Sequence, residues 1–283
     1  MTVYQEKIYT GERSLFATNN ATLQHITFGN GESPLKESHH LKISDSIFQW
    51  KYPLWYCSDI SVDHPVFETM ARSGIWYTNH ISINNSTIQA PKLFRRCQDV
   101  TLNEVYFADA LETLWNCSEI NLKNVQAKGD YFGMNSQDIK LDNLQLVGNY
   151  AFDGAKNITA NNCTFFSKDA FWNCQNVTLT NCTINGEYLG WNTENLTLIN
   201  CTVESNQGLC YVKHLTMKNC ILLQTDLAFE YSSEIEAEID SNIVSVKNPI
   251  SGVIKAHKIG EIIQDDPKLD LTQVKILQTG VNN

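Results

Sequence analysis

Three segments of the chain are near copies of one another, and they decide the fold. Residues 177–184 read VTLTNCTI, residues 196–203 read LTLINCTV and residues 215–222 read LTMKNCIL. A repeat of about 19 residues indicates a solenoid, in which each unit packs only on its neighbours. The apolar residue that opens each unit, called the anchor below, stands at Leu41, Ile60, Ile81, Val100, Ile120, Ile139, Ile158, Val177, Leu196, Leu215 and Ile235.

Each repeat holds three short runs that are typical of β-strands. The first starts at the anchor, the second follows the Asn-Cys pair, and the third is aromatic, as in residues 170–174. Runs this short and rich in Thr, Val and Ile favour strands over helices. The pattern predicts an all-β, right-handed, single-stranded parallel β-helix with 11–12 coils of 19–21 residues. Residues one repeat apart should lie above one another at ~4.8 Å.

Two columns of side chains follow from this alignment. Asn tolerates the left-handed backbone of a tight turn, so the Asn that recurs four residues after the anchor predicts an asparagine ladder at a corner. Most of the nine Cys fall in two further columns, and Cys210 alone lies outside them. Parallel thiols do not converge on a tetrahedral point, so we interpret them as apolar core residues and expect no metal and no cofactor. The predicted ladder contains Asn85, Asn124, Asn143, Asn162, Asn181, Asn200 and Asn219.

The bulk composition narrows the class of protein. With 21 Lys and Arg against 31 Asp and Glu, the net charge is −10, which argues against nucleic acid or an anionic membrane as partner. No apolar run reaches the ~18 residues of a transmembrane helix. The polar first residues lack a signal-peptide pattern, so we expect a cytoplasmic protein. We expect one domain over residues 1–283, with caps at 1–20 and 253–283, and the sequence does not decide between monomer and homo-oligomer.

Five segments carry a resemblance to known proteins: GESPLKES at 31–38, YPLW at 52–55, GIWYT at 74–78, KDAFWN at 168–173 and GEYLGW at 186–191. They resemble a bacterial β-helix family of uncharacterised function within the pectin-lyase-like superfamily. The resemblance implies the fold but no catalytic residues. The Asn-Thr-Asp, Gly-His-Gly and Arg-Ile-Lys motifs of polygalacturonases and the Arg-x-Pro-x-x-Arg motif of pectate lyases are missing. The superfamily's use of its outer strand faces implies that a substrate would lie on the third run.

The third run and the loop before it carry the unusual residues. Simple alternation from an inward Cys174 makes Asn173 and Phe171 point outward, and Phe94, Phe152 and Asp169 with them. Aromatic faces beside amides and charges suit a sugar ring, unless a bulge reverses the parity. The predicted substrate-binding residues are Arg95, Arg96, Asp130, Phe152, Phe171, Trp172, Asn173, Tyr188, Trp191, Asn192 and Glu230.

Acid–base candidates fall in the same region of successive repeats. Asp169 and Glu187 occupy nearly equivalent places in adjacent coils, and Asp153 lies one coil earlier. Paired carboxylates at ~5 to 9.5 Å are typical of glycosidases. Lys168 is the candidate cation for a lyase, but Arg96 is about four coils away and too distant to share a reacting atom with it. If the protein is an enzyme, glycoside hydrolysis is therefore favoured over lyase chemistry.

Two classes of function stay open at this point. The aromatic and polar stripe indicates a carbohydrate-binding or carbohydrate-active β-helix with a saccharide ligand. The regular solenoid surface is equally typical of a non-enzymatic scaffold or interaction protein. A cleft that contains Asp153, Asp169 and Glu187 would favour the first, and a smooth packed face the second.

Overall fold

The computed structural model describes residues 2–280, which form two compact units whose boundary in the sequence lies between Gln145 and Leu146. Both units are built almost entirely from short strands. Within residues 2–280, no helix has the length and apolar composition that crossing a bilayer requires.

The first unit contains one 3₁₀ turn, Thr69–Ala71, among its strands. Its last strand continues two residues into the second unit. The strands are β1 (Thr2–Tyr9), β2 (Asn19–Phe28), β3 (His39–Ser44), β4 (Ile47–Phe48), β5 (Ser58–Asp63), β6 (Val66–Phe67), β7 (Ile75–Trp76), β8 (Asn79–Ile88), β9 (Phe94–Arg95), β10 (Gln98–Phe107), β11 (Leu114–Trp115), β12 (Ser118–Lys128) and β13 (Gln137–Val147).

The second unit follows the same plan and has a 3₁₀ turn at Leu271–Gln273. Its strands are β14 (Lys156–Asn161), β15 (Thr164–Phe166), β16 (Gln175–Thr180), β17 (Thr183–Gly186), β18 (Glu194–Ile199), β19 (Thr202–Asn206), β20 (Lys213–Asp226), β21 (Ser233–Lys247), β22 (Gly252–Ile263) and β23 (Val274–Gln278).

The strand register confirms that residues one repeat apart pair directly. In the first unit, Ile81 pairs in parallel with Ile60 and with Val100. In the second unit, Leu196 pairs with Val177 and with Leu215. The fold is a right-handed parallel β-helix, as the repeat predicts.

The described residues make about fifteen turns, more than the eleven or twelve predicted. The terminal segments account for the difference, because they continue the stack without the Asn-Cys motif. Thr2 in β1 pairs with Ala21, and Gly252 in β22 pairs with both Ile235 and Val274. Gly252 has a φ of +118°, and a side chain there would meet the backbone of Ile235, so glycine is required for the close approach. The segments predicted as caps therefore supply rungs of their own.

The core of each unit consists of stacked columns of inward side chains. Phe28, Phe48 and Phe67 are fully buried with parallel rings, their centroids 5.1 and 4.7 Å apart. Burial of each such side chain contributes roughly 1.5–3 kcal/mol. All nine Cys are buried free thiols, in agreement with their interpretation as core residues.

Left-handed backbone occurs at four positions of a typical coil, whereas the sequence predicted one. In a single turn of the second unit these positions are Asp169, Asn173, Asn176 and Asn181, with φ between 52° and 57°. Each one bends the chain sharply, so a coil has four corners. Asn is frequent there because its short side chain tolerates this conformation.

Amide ladders run along three of these corners. The predicted ladder is present, with Asn200 donating to Asn181 at 3.2 Å. Two more connect Asn195 to Asn176 at 2.8 Å and Asn192 to Asn173 at 2.9 Å. A hydrogen bond of this kind contributes about 0.5–1.5 kcal/mol net, so the ladders fix the spacing of successive coils.

Candidate functional site

The third run of the second unit is a turn, with residues 168–173 leading into Cys174. Its backbone still pairs with the next coil, because the amides of Asp169, Phe171 and Asn173 donate to carbonyls of residues 188, 189 and 191. In the first unit the equivalent run forms the two-residue strands β7, β9 and β11, which pair in parallel. The candidate site is thus held in place by the same kind of backbone hydrogen bonds between coils as the core.

The expected outward direction of three phenylalanines is wrong. Phe94, Phe152 and Phe171 are at most 1% exposed and belong to the core. The reason is the left-handed residue before the inward Cys, which interrupts strand alternation. Cys174 points inward, Asn173 forms the corner, Trp172 points outward, and Phe171 points inward again. Phe152 and Phe171 are therefore not substrate-binding residues.

Asp169 departs from the prediction in a different way. It was expected on the outward stripe, but it is only 4% exposed, and its Oδ1 is buried with no hydrogen-bond partner. Burial raises the pKa of this carboxyl from 3.8 to about 6. The backbone N–H of Trp191 and the charge of Lys168 oppose the increase in pKa, and the charges of Asp153 and Glu187 add to it. A buried acid that titrates near neutral pH is suited to proton transfer.

Glu187 forms an ion pair with the side chain of Lys168. Its Oε2 lies 2.8 Å from Nζ of Lys168, and this ion pair raises the pKa of the lysine. Nζ of Lys168 also lies 5.5 Å from the centroid of the Tyr188 ring. The ion pair lies next to Asp169, whose protonated form is favoured by burial. A buried carboxyl with a raised pKa beside a second carboxyl in a different environment is typical of acid–base sites.

Aromatic rings lie on both sides of these charges. Trp172 contacts Tyr150, with ring centroids 5.5 Å apart, and Trp191 contacts both Tyr188 at 5.3 Å and Tyr211 at 5.0 Å. Both tryptophans are half-buried. Rings of this kind can receive the apolar face of a sugar where a ring face or edge reaches solvent.

The amides at the corner of the site have a structural role. Asn173 receives a hydrogen bond from Asn192 and donates to Oδ1 of Asp153 at 3.2 Å. Their side chains extend an asparagine ladder and are exposed at its outer surface. Asp153 is therefore positioned by an amide, and it contributes negative charge next to Asp169.

The remaining predicted residues lie elsewhere. Arg95, Arg96 and Asp130 belong to the first unit. Lys168, Asp169 and Glu187, called the second-unit cluster below, belong to the second. The Arg95 guanidinium lies between Trp76 and Trp115, 4.6 and 4.8 Å from their centroids. The guanidinium of Arg95 is therefore packed between rings of neighbouring coils.

Glu230 belongs to a separate group of polar side chains whose members the sequence did not predict together. It is 8% exposed and accepts hydrogen bonds from Lys247 at 3.0 Å and from Gln207 at 2.8 Å. Gln207 could have been found by the repeat, since it stands eight residues before the anchor Leu215, as Asp169 does before Val177. Lys247 could not, because the spacing of the repeat changes after Ile235.

No group of three or more His, Cys, Asp or Glu side chains with the geometry of a metal site occurs among residues 2–280.

Comparison with solved structures returns other β-helical proteins at low identity. PfbA, a surface adhesin of Streptococcus pneumoniae, is 11% identical, with 84% of each chain covered and a TM-score of 0.49. The A-module of the Azotobacter vinelandii mannuronan C-5 epimerase AlgE4 is 10% identical, with 98% of this chain and 88% of that chain covered and a TM-score of 0.28. Similarities at this level concern the backbone alone.

Among curated proteins, no match to this sequence is found. A protein-family model does match, and it covers nearly the whole chain. The matching model is DUF3737, described as a protein of unknown function, over residues 2–277, and the chain belongs to this family.

Proposed function

We propose that the protein is a carbohydrate-active β-helix that binds a saccharide against the third-run face of its second unit. The observation that carries the proposal is the state of Asp169, a buried carboxyl with an unpaired oxygen and a pKa of about 6. A buried carboxylate oxygen without a hydrogen-bond partner is uncommon in folded proteins, and a catalytic role is one of the explanations for it.

A saccharide is the class of ligand that the surroundings favour. Trp172 and Trp191 supply aromatic surface, while Asn173 and Asn192 supply exposed amides at the same corner. Aromatic surface next to neutral hydrogen-bonding groups is complementary to the two kinds of surface on a sugar ring.

The reaction that this cluster supports is hydrolysis of a glycosidic bond. Protonated Asp169 would donate its proton to the leaving oxygen while the bond from that oxygen to the anomeric carbon breaks. Ionised Glu187 or Asp153 would accept a proton from the water that attacks this carbon. Lys168 is paired with Glu187, and this ion pair leaves the lysine poorly placed to stabilise a lyase enolate.

The test is a screen of neutral and uronate oligosaccharides for binding and hydrolysis. We expect hydrolysis to fall as pH rises above about 6, because the proton donor is lost there. Asp169→Asn should abolish hydrolysis and retain binding, while Asp240→Asn, at an exposed carboxyl of the same unit, should change neither. Absence of binding to every glycan class would contradict the proposal.

A second candidate function, an interaction scaffold, is favoured by the aromatic column of the first unit. Trp55 and Trp76 stack with centroids 5.1 Å apart and planes 7° apart, so they cover each other's faces. Their indole N–H groups donate to the backbone carbonyls of Ser73 and Lys92. A face satisfied in this way suits a stable docking surface better than a sugar platform. A partner protein that protects residues 55–76 from hydrogen exchange, with no glycan binding, would favour the scaffold.

A further inference from the structure

A cleft of about 370 Å³ lies in the first unit, where successive coils turn from the second run to the third. Consecutive coils each contribute a short segment to it, and Thr69 and Met70 come from the 3₁₀ turn. The volume suits one or two sugar rings or another small ligand. The residues that line it are Asn30, Gln49, Trp50, Glu68, Thr69, Met70 and Gln89.

Trp50 is distinguished from the other tryptophans by its position in the repeat. The other five, Trp55, Trp76, Trp115, Trp172 and Trp191, all stand five residues before an anchor. Trp50 stands ten residues before Ile60 and belongs to no aromatic column. The repeat therefore does not explain the presence of Trp50, and this exception is visible in the sequence alone.

The contacts of Trp50 differ accordingly. Within residues 2–280 its ring makes no contact with another aromatic ring, and its indole nitrogen has no hydrogen-bond partner. Nζ of Lys51 lies 5.6 Å from the ring centroid and is held there by Glu32 at 3.4 Å. Trp55, by contrast, has its ring stacked and its N–H bonded. Trp50 thus retains aromatic surface and a donor that the fold does not use.

The polar groups of the cleft are mainly uncharged. Gln49 donates to Oε1 of Glu68 at 3.0 Å, which orients both side chains. Asn30 and Gln89 present exposed amides. The lining contains the carboxylate of Glu68 and no Lys or Arg, and the ammonium of Lys51 beside the Trp50 ring is already paired with Glu32. The charge around the cleft is therefore net negative and disfavours an anionic ligand.

We propose that this cleft is a binding subsite for a neutral saccharide unit. The Trp50 ring would take the apolar face of the sugar, and the amides with Glu68 would bind its hydroxyls. The site goes beyond the proposed function, since it lies in the first unit and uses none of the acid–base residues of the second. It also predicts discrimination against uronates, which the second-unit cluster by itself does not.

The experiment is ¹⁹F NMR on the full chain labelled with 5-fluorotryptophan, which gives one signal for each of the six Trp. Trp50→Phe assigns the signal of interest. We expect maltohexaose, cellohexaose or mannohexaose to shift the Trp50 signal, and oligogalacturonate at the same concentration to leave it unchanged. Shifts confined to Trp172 and Trp191 would overturn this subsite and support the second-unit site, so the two proposals fail separately.

Variants test which groups bind. Trp50→Ala should weaken binding about tenfold or more, as expected for loss of an aromatic contact with a ligand. Tyr106→Ala is the matched control, because it removes an aromatic ring that is 51% exposed on another face of the same unit. Equal weakening by both variants would overturn the proposal. So would a Trp50 shift caused by tetramethylammonium and by none of the neutral glycans, since Trp50 with Glu68 would then be a cation site.

Discussion

Nζ of Lys168 lies 2.8 Å from Oε2 of Glu187, which stands one repeat later in the chain. The pair spans two coils beside the buried carboxyl of Asp169, and its two charges act on that carboxyl in opposite directions. Lys168 lowers the pKa of Asp169 and Glu187 raises it. The ion pair therefore adjusts the protonation of a third residue.

This relationship predicts that removing either charge shifts the pKa of Asp169, in opposite directions for the two residues. Lys168→Met should raise the pKa of Asp169, because an attractive positive charge is removed. Glu187→Gln should lower it, because a repulsive negative charge is removed. Carboxyl ¹³C NMR titration measures both. Lys247→Met, which breaks the separate pair with Glu230, is the control and should leave the pKa unchanged. Shifts of the same sign in both Lys168 and Glu187 variants would show that the ion pair acts by structure and not by charge.

Burial of Asp169 also predicts how stability changes with pH. The pKa is about 6 in the folded state against 3.8 as the ordinary value, so the folded state favours the protonated form. The stability that the fold gains from a protonated Asp169 is complete below pH 3.8 and is lost as pH rises through 6. A difference of about two pKa units corresponds to roughly 3 kcal/mol.

Asp169→Asn imitates the protonated form at every pH and isolates this effect. We expect the variant to unfold at higher urea than the wild type at pH 7 and at nearly the same urea at pH 4. Circular dichroism at both pH values measures it, and Asp240→Asn controls for the loss of one surface charge. A variant that is less stable than the wild type at pH 7 would refute the idea that ionised Asp169 is unfavourable in the fold.

The sequence predicts well which residues pair between successive coils, which is the register. It predicts poorly which side chains of the third run point inward, which is the parity, and the reason is physical. Register follows from Asn and Cys residues that recur at fixed spacing, as at Asn181 and Cys182, because stacking selects the same side chain in every coil. Parity on the third run depends on a left-handed backbone at Asn173, and many residue types occupy that position. Arg96 has a φ of 52° at the equivalent place, yet Arg carries no signal for a corner.

The candidate site divides in the same way. Lys168, Asp169 and Glu187 could be placed together from their spacing alone. The burial of Asp169 could not be foreseen, since it depends on a corner conformation that places the side chain beneath the coil surface. The end rungs also escaped the repeat, because Gly252 pairs with Ile235 across only 17 residues.

The nine thiols should be unreactive in the folded protein, because all nine side chains are buried. The pKa of Cys97 is lowered by its hydrogen bonds despite burial, so its protection depends on exclusion of the reagent from the core. Burial raises the pKa of Cys57 to about 12 and that of Cys220 to about 11, and the thiol of Cys174 is shifted further. The thiolate is the reactive form, so modification by DTNB at pH 8 should be absent from the native state and reach nine equivalents in denaturant. Ser61→Cys, at an exposed position, should add one fast equivalent. Fast reaction of any native cysteine would show that the core opens to solvent.

The ladder at Asn176 allows backbone and side-chain contributions to be separated. Asn176 has a φ of +57°, donates to Asn157 at 2.9 Å and accepts from Asn195 at 2.8 Å. Asn176→Gly keeps an accessible left-handed backbone and removes both hydrogen bonds, at a cost of about 1–3 kcal/mol. Asn176→Ala removes the same bonds and adds about 1–2 kcal/mol of left-handed strain. Urea unfolding should therefore rank the wild type above the glycine variant and the glycine variant above the alanine variant. If alanine were as stable as glycine, the corner would not depend on its backbone conformation, and the account of four bends per coil would be wrong.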